Sequence, residues 1–160
     1  MQPDKTIPMT LRGYNKLQNE LRNLRNNERP AIIEAIASAR ELGDLSENAE
    51  YHSAKEKQSI IESRIRILED RLSRASVIDT SLIHTDTIKF GASVKIMDDD
   101  TGSISEFQIV GSDEADIKAG LMPITAPVAK ALISKKIDDS ITVNVPSGMK
   151  SYTVLAINYE

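Results

Sequence analysis

Residues 40–56 read RELGDLSENAEYHSAKE, and the two longest helical patterns of the chain meet there. The first pattern reaches Leu42 and is followed by Gly43, the residue that most cheaply adopts the left-handed conformation ending a helix. The second pattern starts a few residues later and continues to about Ala75. A chain that leaves along one helix and returns along another forms an antiparallel hairpin. This stretch is therefore predicted to be the hairpin tip.

Two acidic residues at this turn, Asp44 and Glu47, have two interpretations. Their Asp-Leu-Ser-Glu spacing fits a capping box, in which Asp accepts from the first helical amides and Glu bonds back to the cap amide. Alternatively, a narrow hairpin carrying two carboxylates at its end presents them to a deep site in a partner. The spacing favours the cap, and one residue pair can serve both purposes.

Apolar residues on both arms recur at spacings of three and four, as in a coiled-coil seam. Thr10 is the predicted N-cap of the first helix, and Pro30 predicts a bend or local break over residues 26–29. Beyond Pro30 the stripe resumes one residue out of step. Small residues predict close helix approach near the tip, at Ala35, Ala39, Ala49 and Ala54. The outgoing stripe contains Tyr14, Leu17, Leu21, Leu24, Ile32, Ile33, Ala35, Ile36, Ala39 and Leu42, and the return stripe contains Tyr51, Ala54, Gln58, Ile61, Ile65, Leu68, Leu72 and Ala75.

The second half of the chain has a shorter period, typical of strands. Residues 1–9 are predicted to be a lead-in and residues 77–88 a linker, so the predicted domains are 1–78 and 79–160. Strands are predicted over 90–97, 105–110, 140–145 and 152–158, with one short helix over 127–135. The predicted fold class is α+β, an antiparallel coiled-coil hairpin followed by a small domain with a mainly antiparallel sheet.

Composition limits the function classes. The chain has 160 residues, no cysteine and two histidines, which excludes disulfides and thiolate metal sites and leaves too few histidines for a zinc site built on them. Residues 1–78 hold 13 Lys and Arg against 12 Asp and Glu, and residues 79–160 hold 7 against 12. Bulk binding to duplex nucleic acid needs a basic face and is not expected. With no apolar run to span a bilayer and no secretory signal pattern, a cytoplasmic protein without membrane contact is expected.

Six segments carry a family resemblance that extends over almost the whole chain. They are MTLRGYNKL (9–17), ERPAIIEAIASARELGDLSENAEYHSAKE (28–56), SRASVID (73–79), FGASVKI (90–96), IVGSDEADIKAG (109–120) and PVAKALI (127–133). Together they resemble the GreA/GreB family of bacterial transcript cleavage factors, with the tip segment GDLSENAEYH as the most specific part. The resemblance implies an FKBP-like second domain after the coiled-coil hairpin.

The resemblance also implies a mechanism. The second domain docks on bacterial RNA polymerase, and the hairpin enters the secondary channel toward the 3′ end of backtracked RNA. Residues matching Asp44 and Glu47 help to hold a Mg²⁺ shared with the polymerase, which then cuts its own transcript. Mg²⁺ prefers six oxygen ligands, so two carboxylates cannot build a tight site. The isolated chain is therefore expected to have no metal and no nuclease activity of its own. A monomer is expected as well.

Other positions carry over from the resemblance. Arg40, Lys55 and Lys57 are candidate contacts to RNA phosphates, although solvated helix charges explain them equally well. Candidate polymerase-docking residues are Asp113, Glu114, Asp116 and Pro127. Thr125 and Ala126 stand where relatives commonly have asparagine and serine, and Lys130 replaces a common arginine.

Three alternatives remain open. An inhibitory relative would occupy the same channel without promoting cleavage, but the retained Asp44 and Glu47 favour cleavage. A prolyl isomerase would use the FKBP-like domain, although residues 79–160 have four aromatic residues and no tryptophan. A coiled-coil adaptor or chaperone would tolerate tip substitutions with no effect on transcription.

Overall fold

The computed structural model describes residues 5–44 and 47–159, and the contacts within it divide the chain into two compact units. The first unit contains Tyr14–Ala75. The second unit contains Thr6–Gly13 together with Ser76–Glu160. The predicted boundary after residue 78 stays a prediction, but the segment before the first helix packs with the second unit.

The first unit is a helical hairpin. Its helices are α1 (Leu11–Asn23), α2 (Arg29–Arg40) and α3 (Ala49–Ser73), and a π-helical turn, Leu24–Glu28, joins α1 to α2. α3 has 25 residues and is about 37 Å long at 1.5 Å per residue. The buried seam consists of Leu17, Leu21, Ile32, Ile36, Ala39, Ile61, Ile65 and Leu68. The predicted three-and-four periodicity therefore marks the packed face of each arm.

Apolar packing thins toward the tip, which corrects part of the predicted seam. Ala35 and Ala49 are exposed, and Ile33 and Leu42 are 52% and 66% exposed. Of the four small residues predicted to line the tip, Ala39 is buried and Ala54 is half-buried. Ile33 and Ala35 each lie next to a buried residue, Ile32 or Ile36, and about 100° around the helix from it, so they are off the packed face. Leu42 and Ala49 lie at the ends of the two helices, where spacing alone does not show whether a facing side chain covers them.

The predicted break before Pro30 is present as the π-helical turn, which begins two residues earlier than predicted. The Arg29 amide donates to the Leu24 carbonyl, five residues back, so this turn contains one residue more than a regular α-helical turn. An extra residue shifts every later seam position by one. The buried residues after the turn, Ile32, Ile36 and Ala39, have this shift, so the turn keeps both halves of the stripe on one face.

Deleting Asn27, an exposed residue of the π-helical turn, is expected to destabilise the hairpin by about 3 kcal/mol. The seam would stay in register, but Pro30 would then lie inside a regular α-helix, where it lacks a donor and clashes with the preceding turn. Adding Pro30→Ala to the deletion should recover most of the loss. Urea unfolding followed by circular dichroism measures both variants. Wild-type stability in the deletion variant alone would contradict this account.

Ion pairs between described residues cross from one arm of the hairpin to the other. Arg29 makes two hydrogen bonds to Glu62, at 2.7 and 2.8 Å, Arg64 makes two to Glu20, at 2.8 and 3.0 Å, and Arg25 contacts Glu69 at 2.6 Å. The hydrogen bonds from Arg29 and Arg64 lower the pKa of Glu62 and of Glu20. Both pairs therefore stabilise the hairpin fully at pH values above the ordinary pKa of glutamate. They lose this effect as the pH falls through the lowered pKa of each glutamate. A third or more of each of these side chains is exposed, so solvent screens the gain.

Two short strands, β1 (Ile7–Thr10) and β2 (Ala75–Ile78), pair beside the start of α1. The predictions of a lead-in over 1–9 and a linker from residue 77 were therefore wrong for these residues. Strands of four residues are too short to display a period of their own. Thr10 is the N-cap that was predicted, because its hydroxyl accepts from the Gly13 amide at 3.1 Å.

The second unit is built on a five-stranded sheet in the order β5-β4-β3-β7-β6. Its strands are β3 (Ser93–Asp98), β4 (Ile104–Val110), β5 (Leu121–Pro123), β6 (Ser140–Val145) and β7 (Gly148–Asn158). β4 and β5 are parallel, and the other pairs are antiparallel. The short helix α4 (Pro127–Leu132) covers the core with Ala129 and Leu132. The predicted α+β class with a mainly antiparallel sheet is confirmed.

Candidate functional site

The described residues of the tip lie between the end of α2 and the start of α3. The amides of Glu41 and Leu42 donate back to Ser38 and Ala39 at 3.2 and 3.1 Å, which closes the last turn of α2. Gly43 has a φ of 131°, so the chain reverses in the left-handed region that the sequence predicted for this glycine. Leu45 and Ser46, the middle of the predicted capping box, lie outside the described residues.

Asn48 caps α3, so the prediction of Asp44 as the cap was wrong. The Asn48 side-chain oxygen accepts from the Tyr51 amide at 3.0 Å, and α3 begins at the next residue. A cap must immediately precede the first helical residue to reach the third helical amide, and Asp44 is too early for that. The sequence contained a signal for this cap, because asparagine is as good an N-cap as aspartate and Asn48 directly precedes the helical pattern. The Asp-x-x-Glu spacing of the capping box obscured it.

Asp44 and Glu47 are brought together on one surface. Both side chains are exposed, and both line a shallow concavity of about 390 Å³. The Glu47 amide donates to the Asp44 carbonyl at 3.4 Å, which keeps their backbones close. Among the described residues, the concavity is also lined by Leu42, Asn48, Ala49 and Glu50. Its shape and charge suit a hard cation or a polar group supplied from outside.

These carboxylates fit part of a Mg²⁺ site. Oxygen ligands are the kind that Mg²⁺ takes, and Asp44 and Glu47 provide them on a solvent-facing surface at the end of the hairpin. Within residues 5–44 and 47–159, no group of three or more His, Cys, Asp or Glu side chains is arranged to hold a metal ion. A cation at Asp44 and Glu47 would therefore need further ligands from water or a partner.

The three basic candidates near the tip do not form one patch. The Arg40 guanidinium lies over the Tyr51 ring, 5.7 Å from its centroid. Lys55 is four residues beyond Tyr51 and shares its face of α3, where its ammonium donates to Gln58 at 3.2 Å. Lys57, two residues further, points to a different side of the helix. Arg40 and Lys55 therefore lie toward the Tyr51 side of the hairpin and Lys57 does not, and RNA contact by each of the three stays a prediction.

The Tyr51 ring also meets the His52 ring edge-on, with centroids 5.5 Å apart. This aromatic pair was not selected from the sequence. Its signal was two adjacent rings in the first turn of α3, directly after the acidic residues.

The predicted docking residues differ in their surroundings. Asp113, Asp116 and Pro127 are exposed, and Pro127 is the first residue of α4. Glu114 is half-buried, and its carboxylate accepts hydrogen bonds from the Thr10 amide at 3.0 Å, the Gly111 amide at 2.9 Å and the Thr10 hydroxyl. Glu114 is therefore a structural residue that ties the chain before α1 to the second unit. A docking role for each of the four residues stays a prediction.

A separate groove of about 300 Å³ lies on the second unit. Its walls include Phe107, Met122, Val128 and Tyr152, with the 74%-exposed Ile117 at its edge. The two aromatic residues were counted in the sequence, but their convergence depends on strand register and could not be read from spacing.

Comparison with known proteins accounts for both halves of the chain. The family model "Transcription elongation factor, N-terminal" matches residues 7–77, and "Transcription elongation factor, GreA/GreB, C-term" matches residues 83–159. The chain belongs to the GreA/GreB family of transcription elongation factors. This confirms the resemblance inferred from the six sequence segments.

Two GreA proteins agree with this membership. Transcription elongation factor GreA of Rhizobium etli is 56% identical over 153 residues, covering 96% of this chain and 97% of the relative. The protein of the same name from Maricaulis maris is 51% identical over 153 residues, covering 96% and 98%. Among solved structures, GreA factor homolog 1 of Thermus thermophilus is 25% identical, covers 96% of this chain and 99% of that one, and has a TM-score of 0.44.

No helix within the described ranges combines the length and apolarity needed to cross a bilayer.

Proposed function

We propose that this GreA/GreB family member binds bacterial RNA polymerase, inserts the hairpin tip through the secondary channel and stimulates cleavage of backtracked RNA. The observation that carries the proposal is the exposed pair Asp44 and Glu47 on one concavity at the end of the hairpin. Because Asn48 caps α3, the strongest competing explanation for this acidic pair loses its support. As a polymerase partner, the protein would act in the cytoplasm, as a single copy in each channel.

The two carboxylates would act by completing a site, not by forming one. Asp44 and Glu47 would supply oxygen ligands to a Mg²⁺ shared with carboxylates of the polymerase. Bound there, Mg²⁺ would polarise the scissile phosphate and favour ionisation of an attacking water. Glu47 and Asp44 could also orient that water by accepting its hydrogen bonds. The cut would thus be made by the polymerase, and the isolated chain would leave RNA intact.

Basic residues of the same tip would position the RNA. Arg40 and Lys55 lie on the Tyr51 side of the hairpin, so extruded phosphates passing that side would meet two positive charges. Each contact is salt-dependent and carries no sequence information. Docking of the second unit would use the exposed residues Asp113, Asp116 and Pro127, whereas Glu114 is occupied internally.

The test uses the full chain and polymerase complexes stalled in a backtracked state, with RNA labelled at the 5′ end. We expect the chain to accelerate shortening of the RNA and restore elongation when nucleotides are added. The chain mixed with RNA alone is the control and should cut nothing. Binding to polymerase with slowed elongation and no shortening would instead identify an inhibitor of the same fold. Absence of binding would favour the adaptor or chaperone alternative.

A further inference from the structure

The side chain of Asn48 contacts both arms of the hairpin. Its oxygen accepts from the Tyr51 amide of α3, and its amide nitrogen donates to the Ala39 carbonyl of α2. The orientation of the amide follows from chemistry, because an N–H group needs an acceptor and a carbonyl needs a donor. The cap of α3 accounts for the first bond, and the second bond reaches a carbonyl in the last turn of α2, so one side chain joins the two helix ends.

Among the described residues, buried apolar contacts between the arms are sparse at this level. Ala39 is the last buried residue of the α2 seam, whereas the residues of α3 before Ile61 are half-buried or exposed. Leu42, Ala49 and Glu50 are exposed. A polar link therefore has more influence on geometry here than it would beside a packed core.

The link closes the segment that carries both acids. Residues 40–47 lie between Ala39 and Asn48, so the side-chain bond across this gap fixes the two ends of the acidic loop. Glu47 immediately precedes Asn48, and Asp44 is connected to Glu47 through their backbones. The Arg40 guanidinium over the Tyr51 ring is a second contact between the same two helix ends.

We propose that Asn48 is a positioning residue that sets the spacing and direction of Asp44 and Glu47 by tying the end of α2 to the start of α3. This inference rests on the proposed function. A shared metal site tolerates little misplacement of its ligands, and an error of about 1 Å can reduce a rate on the order of a hundredfold. An amide is suited to this role because it presents a donor and an acceptor on separate atoms.

Three variants separate positioning from capping. Asn48→Asp keeps the shape and the cap acceptor but loses the donor to Ala39. Asn48→Ser keeps a capping oxygen without adding charge, and a single short hydroxyl cannot span both arms. Asn48→Ala loses both bonds. If capping were the whole role, Asp and Ser would restore both melting temperature and activity, because both are strong N-caps.

We expect Asn48→Asp and Asn48→Ser to bind polymerase normally and to stimulate cleavage roughly tenfold less than the wild type or worse. Both should melt closer to the wild type than Asn48→Ala does. Half-maximal cleavage should require more Mg²⁺ in the neutral Asn48→Ser variant. A change in this requirement is not expected from a simple loss of folded protein.

A second readout does not depend on activity. The chain has no cysteine, so Ser38→Cys and Ser53→Cys place spin labels on exposed sites of α2 and α3 without background labelling. The distance distribution between the labels should broaden when Asn48→Asp or Asn48→Ser is added. A distribution as narrow as the wild type overturns the proposed link.

The outcomes distinguish this inference from the proposed function. Failure of the wild-type chain to stimulate cleavage would refute the proposed function. The distances between the spin labels would still test whether Asn48 links the two helix ends. Cleavage at the wild-type rate in both Asn48→Asp and Asn48→Ser overturns the positioning role, whatever the distances are. Loss of cleavage in Asp44→Asn but not in the Asn48 variants would retain the proposed function and refute this inference.

Discussion

Replacing Asp44 with Asn, or Glu47 with Gln, is expected to reduce stimulated cleavage roughly 100-fold while leaving polymerase binding near the wild-type level. Each change keeps the size of the side chain and removes the negative charge. Asn and Gln each retain one carbonyl oxygen, which is a weaker ligand for Mg²⁺ than a carboxylate. RNA shortening in stalled complexes measures the loss, and co-migration with polymerase measures binding.

Stability should hardly change in these variants. Asn48, not Asp44, caps α3, and both acids are exposed, so we expect the free energy of unfolding to stay within about 0.5 kcal/mol of the wild type. Thermal melts of the purified variants check this. A large loss of stability would mean that the acids are structural and would weaken the interpretation of any lost cleavage.

Glu50→Gln is the matched control for the tip. Glu50 lines the same concavity, is exposed and carries the same charge, but it lies within the first turn of α3. Its loss should change cleavage by much less than the loss of Asp44 or Glu47. Equal effects from all three would indicate that total negative charge matters and not the particular pair.

A raised Mg²⁺ concentration should partly restore cleavage by Asp44→Asn and Glu47→Gln if weakened metal retention is the defect.

The parts of the hairpin that could be predicted are those with many repeats of one period. Ile61, Ile65 and Leu68 are buried as the stripe predicted, because each faces the other arm over several turns. The extra residue of the π-helical turn was visible as a one-residue shift of the stripe beyond Leu24. The exposure of Ala49 was not visible, since spacing does not tell where the opposite helix stops. Ala35 is exposed for another reason, because the packed face passes through its neighbour Ile36.

Strand prediction failed wherever a strand is short or depends on distant partners. β6, at Ser140–Val145, has the predicted bounds because it alternates over six residues and ends at a Pro-Ser-Gly turn. β1, β2 and β5 have three or four residues each and were not predicted. β5 exists through its parallel pairing to β4, a contact between segments more than ten residues apart. At the tip, the same limit hid the bond from Asn48 to Ala39.

Glu114→Ala is expected to lower the free energy of unfolding of the second unit by about 3 kcal/mol, because it removes charge-assisted hydrogen bonds from a half-buried carboxylate. Two of the donors are the amides of Thr10 and Gly111, at 3.0 and 2.9 Å, and the Thr10 hydroxyl is the third. The loss leaves the Thr10 and Gly111 amides in need of new partners. Urea unfolding measures the change in the free energy of unfolding. Asp113→Ala, which removes the exposed neighbouring acid, is the control and should lower that free energy by less than about 1 kcal/mol.

Gly13 and Gly111 lie close to Glu114 and provide a further test of its structural role. A Cβ on Gly13 would lie 2.1 Å from the Glu114 carboxylate oxygen, and one on Gly111 would lie 2.3 Å from the Pro8 carbonyl oxygen. Gly13→Ala should therefore destabilise the wild type but become neutral or stabilising beside Glu114→Ala, since alanine is the better helix former. Gly111→Ala should stay destabilising in both backgrounds, because a backbone atom cannot move aside cheaply. Equal penalties for Gly13→Ala in the two backgrounds would contradict the contact.

Glu114→Ala also distinguishes a structural role of Glu114 from a role in docking. If Glu114 is structural, Glu114→Ala should lose polymerase binding only to the extent that the protein unfolds, and binding should recover at lower temperature. Asp113→Ala or Asp116→Ala, by contrast, should weaken binding in a fully folded protein if the exposed acids contact the polymerase. Binding measured alongside circular dichroism across a temperature range separates the cases. Wild-type stability with lost binding in Glu114→Ala would show that the carboxylate meets the partner, and that its bonds to Thr10 and Gly111 are dispensable.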